Sequence, residues 1–383
     1  MNVLSIGSDR TLLNDDTSGS TRERMIRISK NISSLHIAVF ANNSENYRKL
    51  KISQKITVYA VPQGKIPFLK PYRICSDICK ENNIDVVSTQ DPFMNGLIGY
   101  LLKLRYKIPL NIQVHSDYID NKWWLSQGSS HKVWNILSKA ILKRADSVRT
   151  VNSSLAKRLQ NFGIPEDKII NFPIFLDVEK FNLDNESTNK NNLPDLGDFE
   201  KVVLFVGSLI PTKGVDTLLK AAPVVLEKIP KTLFLIVGDG PEKNRLESLS
   251  NDLNISENII FTGKVPFENI SIYYKKSDLL VLPSRSEAWG RVVLEALVSG
   301  KPVVVSNSCK ISDVILKEDC GALFEVDNPP SLAKEIVLML VDRKNAMKMG
   351  SKGKNMVITN YSPSKIIPKY QEMWEMAIKG AKN

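Results

Sequence analysis

A chain of 383 residues with 43% hydrophobic and 24% charged side chains exceeds what one hydrophobic core usually organises, so two domains are expected and a disordered or fibrous chain is excluded. The formal net charge of +11 is uneven, with residues 1–183 carrying +10 and residues 184–383 carrying +1. This asymmetry suits an anionic membrane surface or an acidic acceptor, while the lack of a nucleic-acid motif or an Arg/aromatic cluster argues against nucleic acid.

No stretch is apolar enough to read as a transmembrane span. The opening Met1-Asn2-Val3-Leu4-Ser5-Ile6-Gly7 reads as a β-strand and lacks a basic n-region, so a cytoplasmic protein is expected, peripheral on the inner face of the membrane at most. Cys75 and Cys79 lie in a predicted helix without a second pair at zinc-ribbon spacing, and with Cys309 and Cys320 they read as reduced core thiols.

Short apolar runs alternate with amphipathic stretches, the pattern of parallel sheets wrapped by helices. In the first half, strands are predicted at Val3–Gly7, His36–Phe40, Ile56–Tyr59, Asp85–Thr89, Leu110–Val114 and Ser147–Val151. The helices between them are Thr21–Lys30, Tyr72–Glu81, Asn95–Lys103, His131–Lys143 and Ser153–Phe162, the last with Ser153 as its cap. Residues 1–181 thus form one α/β domain, and the polar segment 182–200 is the natural linker.

A second α/β domain is expected over residues 201–360. Its strands are Val202–Val206, Leu233–Val237, Ile259–Phe261, Leu279–Leu282 and Pro302–Val305, with helices Val215–Lys228, Glu242–Leu253, Glu268–Lys276 and Arg291–Ser299. Both domains read as doubly wound and Rossmann-like, with ligand groups at the carboxyl edges of two sheets that face an interdomain cleft. The tail 361–383 carries an apolar stripe, Ile366, Tyr370, Trp374 and Ala377, and should pack on a domain surface, the first domain being the candidate.

The most informative stretch runs from Pro283-Ser284 through Glu287, Gly290, Arg291 and Glu295 to Gly300-Lys301-Pro302. A helix starting near Gly290 would aim its free N–H groups and dipole at a diphosphate. Glu295 would sit about 7 Å along its axis, placed to accept hydrogen bonds from a ribose diol, with Glu287 on the sugar side. By themselves the two acids would also suit a loop cap and a solvated helix residue.

Glu287-x7-Glu295 followed by Gly300-Lys301-Pro302-Val303-Val304 resembles the signature of glycosyltransferase family 4. Val206-Gly207-Ser208-Leu209-Ile210-Pro211-Thr212-Lys213-Gly214 resembles its phosphate loop. Val237-Gly238-Asp239-Gly240-Pro241-Glu242 and Phe261-Thr262-Gly263-Lys264-Val265 match further segments. The resemblance implies a retaining transferase of GT-B fold that moves a sugar from a nucleotide-diphosphate donor to a saccharide or lipid-linked acceptor, in cell-surface polysaccharide or glycolipid synthesis. The first domain would bind the acceptor and the second the donor, with no cofactor; no Asp-x-Asp motif occurs, and no metal is expected.

By the same resemblance His115 contacts the donor sugar, Lys213 the diphosphate and the Val265 backbone the base, beside Glu287 on the sugar, Glu295 on the ribose and the Gly290-Arg291 helix start on the diphosphate as placed above. Ser208 stands where the family usually carries Arg, so a phosphate cation is missing, for which Arg285 or Arg291 would have to compensate. Gly19, in Thr17-Ser18-Gly19-Ser20-Thr21, replaces the family's Gly-Gly loop. Asp117, two residues after His115, reads first as a solvated acid and second as a site residue, while Asp91-Pro92-Phe93 and Trp123-Trp124 lie on loops where an acceptor would enter, although the tryptophans would equally anchor the core. Rival readings are a sugar-nucleotide epimerase or hydrolase on the same fold, and a non-catalytic subunit of a glycosylation complex.

Overall fold

The computed structural model describes residues 1–13, 20–41, 47–62, 68–115, 118–126, 128–182, 196–287 and 289–382. Residues 17–19, Asp117, the side chain of Trp123 and most of the polar segment 182–200 fall outside them. The chain divides into two compact units, Met1–Ile174 with Ser364–Asn383, and Phe175–Pro363.

The first unit is built on β1 (Asn2–Gly7), β2 (Ser34–Ala41), β3 (Arg48–Lys51), β4 (Ile56–Pro62), β5 (Val86–Thr89), β6 (Leu110–Val114), β7 (Ser147–Thr150) and β8 (Ile169–Asn171). They form one sheet in the order β3-β4-β2-β1-β5-β6-β7-β8. Every pairing is parallel except β3 with β4. Leu4, Ile6, Val87, Ile112 and Val148 are wholly buried, because helices cover both faces of a parallel sheet. The sequence pattern omits β3 and β8. Arg-Lys-Leu-Lys of β3 is a mostly exposed edge without apolar alternation, and β8 has three residues.

The helix Ser153–Asn161 is capped by Asn152, not by Ser153 as predicted. Asn152 has the extended backbone (φ −151°) of a capping residue, and its side chain accepts from Leu155 N–H at 2.7 Å. The C-terminal helix Pro363–Gly380 buries the predicted stripe, Ile366, Tyr370, Trp374 and Ala377, together with Met373. In the first unit Tyr370 packs edge-on to Phe172 at 5.0 Å, and Ser147 Oγ donates to Met373 O at 3.1 Å.

The second unit carries β9 (Lys201–Val206), β10 (Thr232–Val237), β11 (Ile259–Gly263), β12 (Leu279–Leu282), β13 (Val303–Ser306) and β14 (Gly321–Phe324). The order is β11-β10-β9-β12-β13-β14, all parallel. The helix predicted at Val215–Lys228 has those bounds, and the Arg291 helix ends at Val298. The short β14 was not predicted. All four cysteines are buried and unpaired, and burial pushes the Cys79, Cys309 and Cys320 thiols up to about 12, as inert core thiols require.

Candidate active site

In open α/β sheets, ligands bind outside the carboxyl ends of the strands where the strand order reverses. In the second unit that point lies between β9 and β12. The loop after β9 begins with Gly207, whose N–H donates to Val237 O at 2.9 Å, and continues with Leu209 N–H donating to Asp239 O at 3.0 Å. These bonds lock it against the loop after β10. Pro211–Lys213 then makes a single 3₁₀ turn, and Gly214 turns the chain into the Val215 helix. A Cβ on Gly214, at φ +65°, would stand 2.1 Å from Pro283 O, so only glycine lets the turn lie against the end of β12.

From the other side of the reversal, the loop after β12 brings in Glu287. Lys213 Nζ donates to Glu287 Oε2 at 2.5 Å, with the ammonium and carboxylate still partly open to solvent. The Glu287 backbone is held as well: it bridges to Cys309, and its carbonyl accepts from Lys310 N–H at 3.2 Å. Arg285 binds the two loops together. Its N–H donates to Thr212 O at 2.8 Å, and its guanidinium meets Asp216 at 2.9 Å, Asp327 at 2.8 Å and the Pro211 carbonyl. The hydrogen bond to Asp216 raises its already high pKa, and in the resting structure Arg285 clamps the two loops through Asp216 and Asp327.

Gly290 precedes the helix Arg291–Val298, which is amphipathic and buries its inner face from Val293 to Val298. Glu295 is 5% exposed, so it is no solvated helix residue. Its Oε2 accepts from Tyr274 Oη at 2.9 Å, and its Oε1 lies 2.9 Å from Arg291 Nε. Burial raises the Glu295 pKa, while Arg291 and the Tyr274 hydroxyl oppose the rise. The Arg291 guanidinium lies over the Phe267 ring at 5.1 Å. Ser208 is exposed in the loop after β9. Val265, in the turn after β11, packs its side chain against the sheet core. Among the described residues, no group of three or more His, Cys, Asp or Glu is placed to hold a metal ion.

In the first unit the strand order reverses between β1 and β5. A cavity of about 240 Å³ opens there, lined by Gly7, Asp9, Thr21, Arg24, Gln90 and Asp91 among others. His115, immediately after β6, sets its Nε2 at 3.0 Å from Gln90 Oε1. A carbonyl oxygen only accepts, so Nε2 carries the proton and Nδ1 is left as an acceptor. Burial, with the Arg149 and Arg24 charges adding to it, lowers the His115 pKa from 6.5 to about 3. Arg149 itself is buried without a carboxylate among the described residues. It donates to Gln113 Oε1 at 2.7 Å and to Phe172 O, under the Phe172 and Tyr370 rings.

Between pH 6.5 and 3 the unfolded chain therefore holds a proton that the folded His115 ring refuses. Its contribution to stability is complete above pH 6.5 and is lost as pH falls through that window, at up to about 1.4 kcal/mol per pH unit. His115→Gln is expected to make the dependence of unfolding free energy on pH shallower by that slope between pH 6 and 4, measured by urea melts. Superimposable slopes would show that the folded ring is protonated.

The family description "Glycosyltransferase Family 4" matches residues 35–180, and "Glycosyl transferases group 1" matches residues 188–356. The chain belongs to the group 1, family 4 glycosyltransferases. The alpha-monoglucosyldiacylglycerol synthase of Streptococcus pneumoniae is 27% identical over 256 residues, which cover 65% of this chain and 57% of that enzyme's own length. Sucrose-phosphate synthase from Thermosynechococcus elongatus superposes with a TM-score of 0.81 at 20% identity, over 99% of both chains. Anabaena HepE in complex with UDP-glucose superposes with a TM-score of 0.78 at 16% identity, over 98% of this chain and 99% of that one. These likenesses give the glycosyltransferase its GT-B fold.

Of the residues singled out in its sequence, the glycosyltransferase brings Lys213 and Glu287 into contact, and Arg291 and Glu295 into a separate pair. Gly19 lies outside the described residues. Tyr274, Gln90, Arg24 and the Asp216–Arg285–Asp327 clamp were not foreseen. Gln90 had a readable signal, since it follows β5 as His115 follows β6; Tyr274 had none, being one of two tyrosines on a helix.

Proposed function

We propose that this glycosyltransferase takes a nucleotide-diphosphate sugar at the β9/β12 reversal of its second unit, and moves the sugar with retained configuration to a saccharide or lipid-linked acceptor. The meeting of Lys213 and Glu287 at that point carries the reading. An ammonium has three donors, so Lys213 can keep Glu287 while taking a phosphate oxygen, and the second Glu287 oxygen is left for sugar hydroxyls. The N–H groups opening the Arg291 helix add positive potential for the departing diphosphate. In same-face transfer the leaving phosphate oxygen takes the proton of the acceptor hydroxyl as that oxygen bonds to the anomeric carbon, and no protein nucleophile is required.

Glu295 is assigned to the ribose. Each of its carboxyl oxygens keeps a second lone pair beside Tyr274 or Arg291, available to a ribose hydroxyl. The Val265 backbone is assigned to the base, and His115 Nδ1 accepts from a sugar hydroxyl. A lipid acceptor is favoured by the relative named for a glucosylated diacylglycerol, and a UDP donor by the HepE complex.

A thermal-shift panel of UDP, GDP, ADP and their sugars tests the donor. Saturation at a hundred times Kd stabilises by about 2.7 kcal/mol, roughly 5–11 °C in Tm. One base should give that shift, with EDTA as without, because Lys213 and the helix N-terminus supply the positive charge. No shift from any nucleotide would sink the reading, and quantitative epimerisation or breakdown of donor without acceptor would point to the rival enzyme.

A further inference from the structure

The helix Ser129–Leu142 turns Asn135, Ser138, Ile141 and Leu142 inward. Its outer face is not the polar surface that solvent would favour: Val133 is 56%, Ile136 69% and Leu137 39% exposed. Three large apolar side chains on adjacent turns form a strip along a helix of about 21 Å. Cations bracket it, with Lys132 at one end and Lys143 and Arg144 at the other, all exposed.

The neighbouring helix Met94–Tyr106 extends the patch. Lys103 Nζ donates to Arg144 O at 2.8 Å, tying the C-terminal ends of the two helices together. That contact brings Leu104, 56% exposed, and the exposed Arg105 and Lys107 to the same end. Over residues 94–144 the sequence has eight Lys or Arg against two Asp, and one of the two, Asp120, is held by Lys139 at 2.6 Å and Asn135 at 2.9 Å.

We infer that this face docks the protein on a bilayer containing anionic lipid, with the Ser129–Leu142 helix lying in the plane of the interface. An apolar strip flanked by lysine and arginine is what an interfacial helix requires: the side chains enter the acyl boundary while the cations meet the headgroups. A second copy of the chain fits less well. A two-fold contact through this strip would set Lys132, Lys143 and Arg144 against their own counterparts, and like charges oppose it. The helix lies on the membrane without crossing it, since no described helix is long and apolar enough to span.

Flotation of the full chain with vesicles of phosphatidylcholine, alone or with phosphatidylglycerol, tests this. The protein is expected to float with the anionic vesicles and to remain below with the neutral ones. Ile136→Ser with Leu137→Ser should weaken binding at least tenfold, and Lys132→Gln with Lys143→Gln should weaken it about fivefold per cation. Both double variants should keep the wild-type Tm and nucleotide-induced thermal shift, so a failure here is distinguishable from a failure of the donor assignment. Wild-type protein that ignores anionic vesicles, variants that float as well as wild type, or a wild-type dimer that the serine variant dissociates would each overturn the proposal.

Discussion

Lys213→Ala is expected to lower kcat/KM for sugar transfer roughly 100- to 1,000-fold, the cost typical of removing one charged or hydrogen-bonding group from a transition state that develops negative charge. In the resting protein its partner is Glu287, 2.5 Å away, so the substitution also leaves a carboxylate beside the position assigned to the diphosphate. That carboxylate repels the donor, and part of the loss should appear in KM as well as in kcat. Glu287→Gln removes the sugar contact but keeps a neutral partner for the ammonium, and should fall in the same range. Because the two side chains touch, the double variant should lose less than the two single losses combined. Steady-state kinetics of the three variants, with Tm as a check on folding, decides the matter. Full activity in Glu287→Gln would show that the chemistry lies elsewhere, and strictly multiplicative losses would show that the pair does not work as a unit.

Gly238→Ala is expected to have the largest effect on stability in the second unit. Gly238 has φ +140°, and a Cβ there would stand 1.8 Å from Gly207 O. Neither strand end has room to retreat, because Gly207 N–H is bonded to Val237 O at 2.9 Å and Gly238 N–H to Gly263 O at 3.0 Å. The methyl must separate the loops after β9 and β10, or force both backbones from their dihedral wells, at a cost of about 3 kcal/mol or more. That corresponds to a fall in Tm of roughly 6–12 °C for a unit of this size. The displaced loop carries Lys213, so the nucleotide-induced shift should be lost as well. Gly263→Ala is the control: its φ is +72° but its Cβ would meet nothing within 4 Å, leaving only the left-handed backbone cost of about 1–2 kcal/mol. Equal Tm losses in the two variants, by differential scanning fluorimetry, would show that the β9 and β10 loops are not in the close approach described.

The same region shows how far local sequence carries. The apolar run Val303-Val304-Val305 and the stop at Gly300-Lys301-Pro302 place β13 within a residue of its observed start, because a strand buried on both faces has to be apolar throughout. The Arg291 helix was legible from its periodicity and from the glycine before it. The cap at Asn152 was misplaced by one residue because Asn and Ser are both competent caps, and only the backbone dihedral distinguishes them. Strands β8 and β14 were missed since three or four residues show no period of their own.

The sequence by itself determined the alternation of strand and helix, the two α/β units, the family, and the residues proposed for a diphosphate and a sugar. Each of these is written in local spacing. The tertiary structure alone decided partnership. Lys213 and Glu287 are 74 residues apart, and they meet because β12 returns to pair with β9 on the side away from β10. Glu295 accepts from Tyr274 of another helix, and Arg285 pairs with Asp216 and Asp327, partners that lie far away in the chain. Helical and strand periods specify which face a side chain occupies, but what stands opposite that face follows from strand order, which no local pattern encodes.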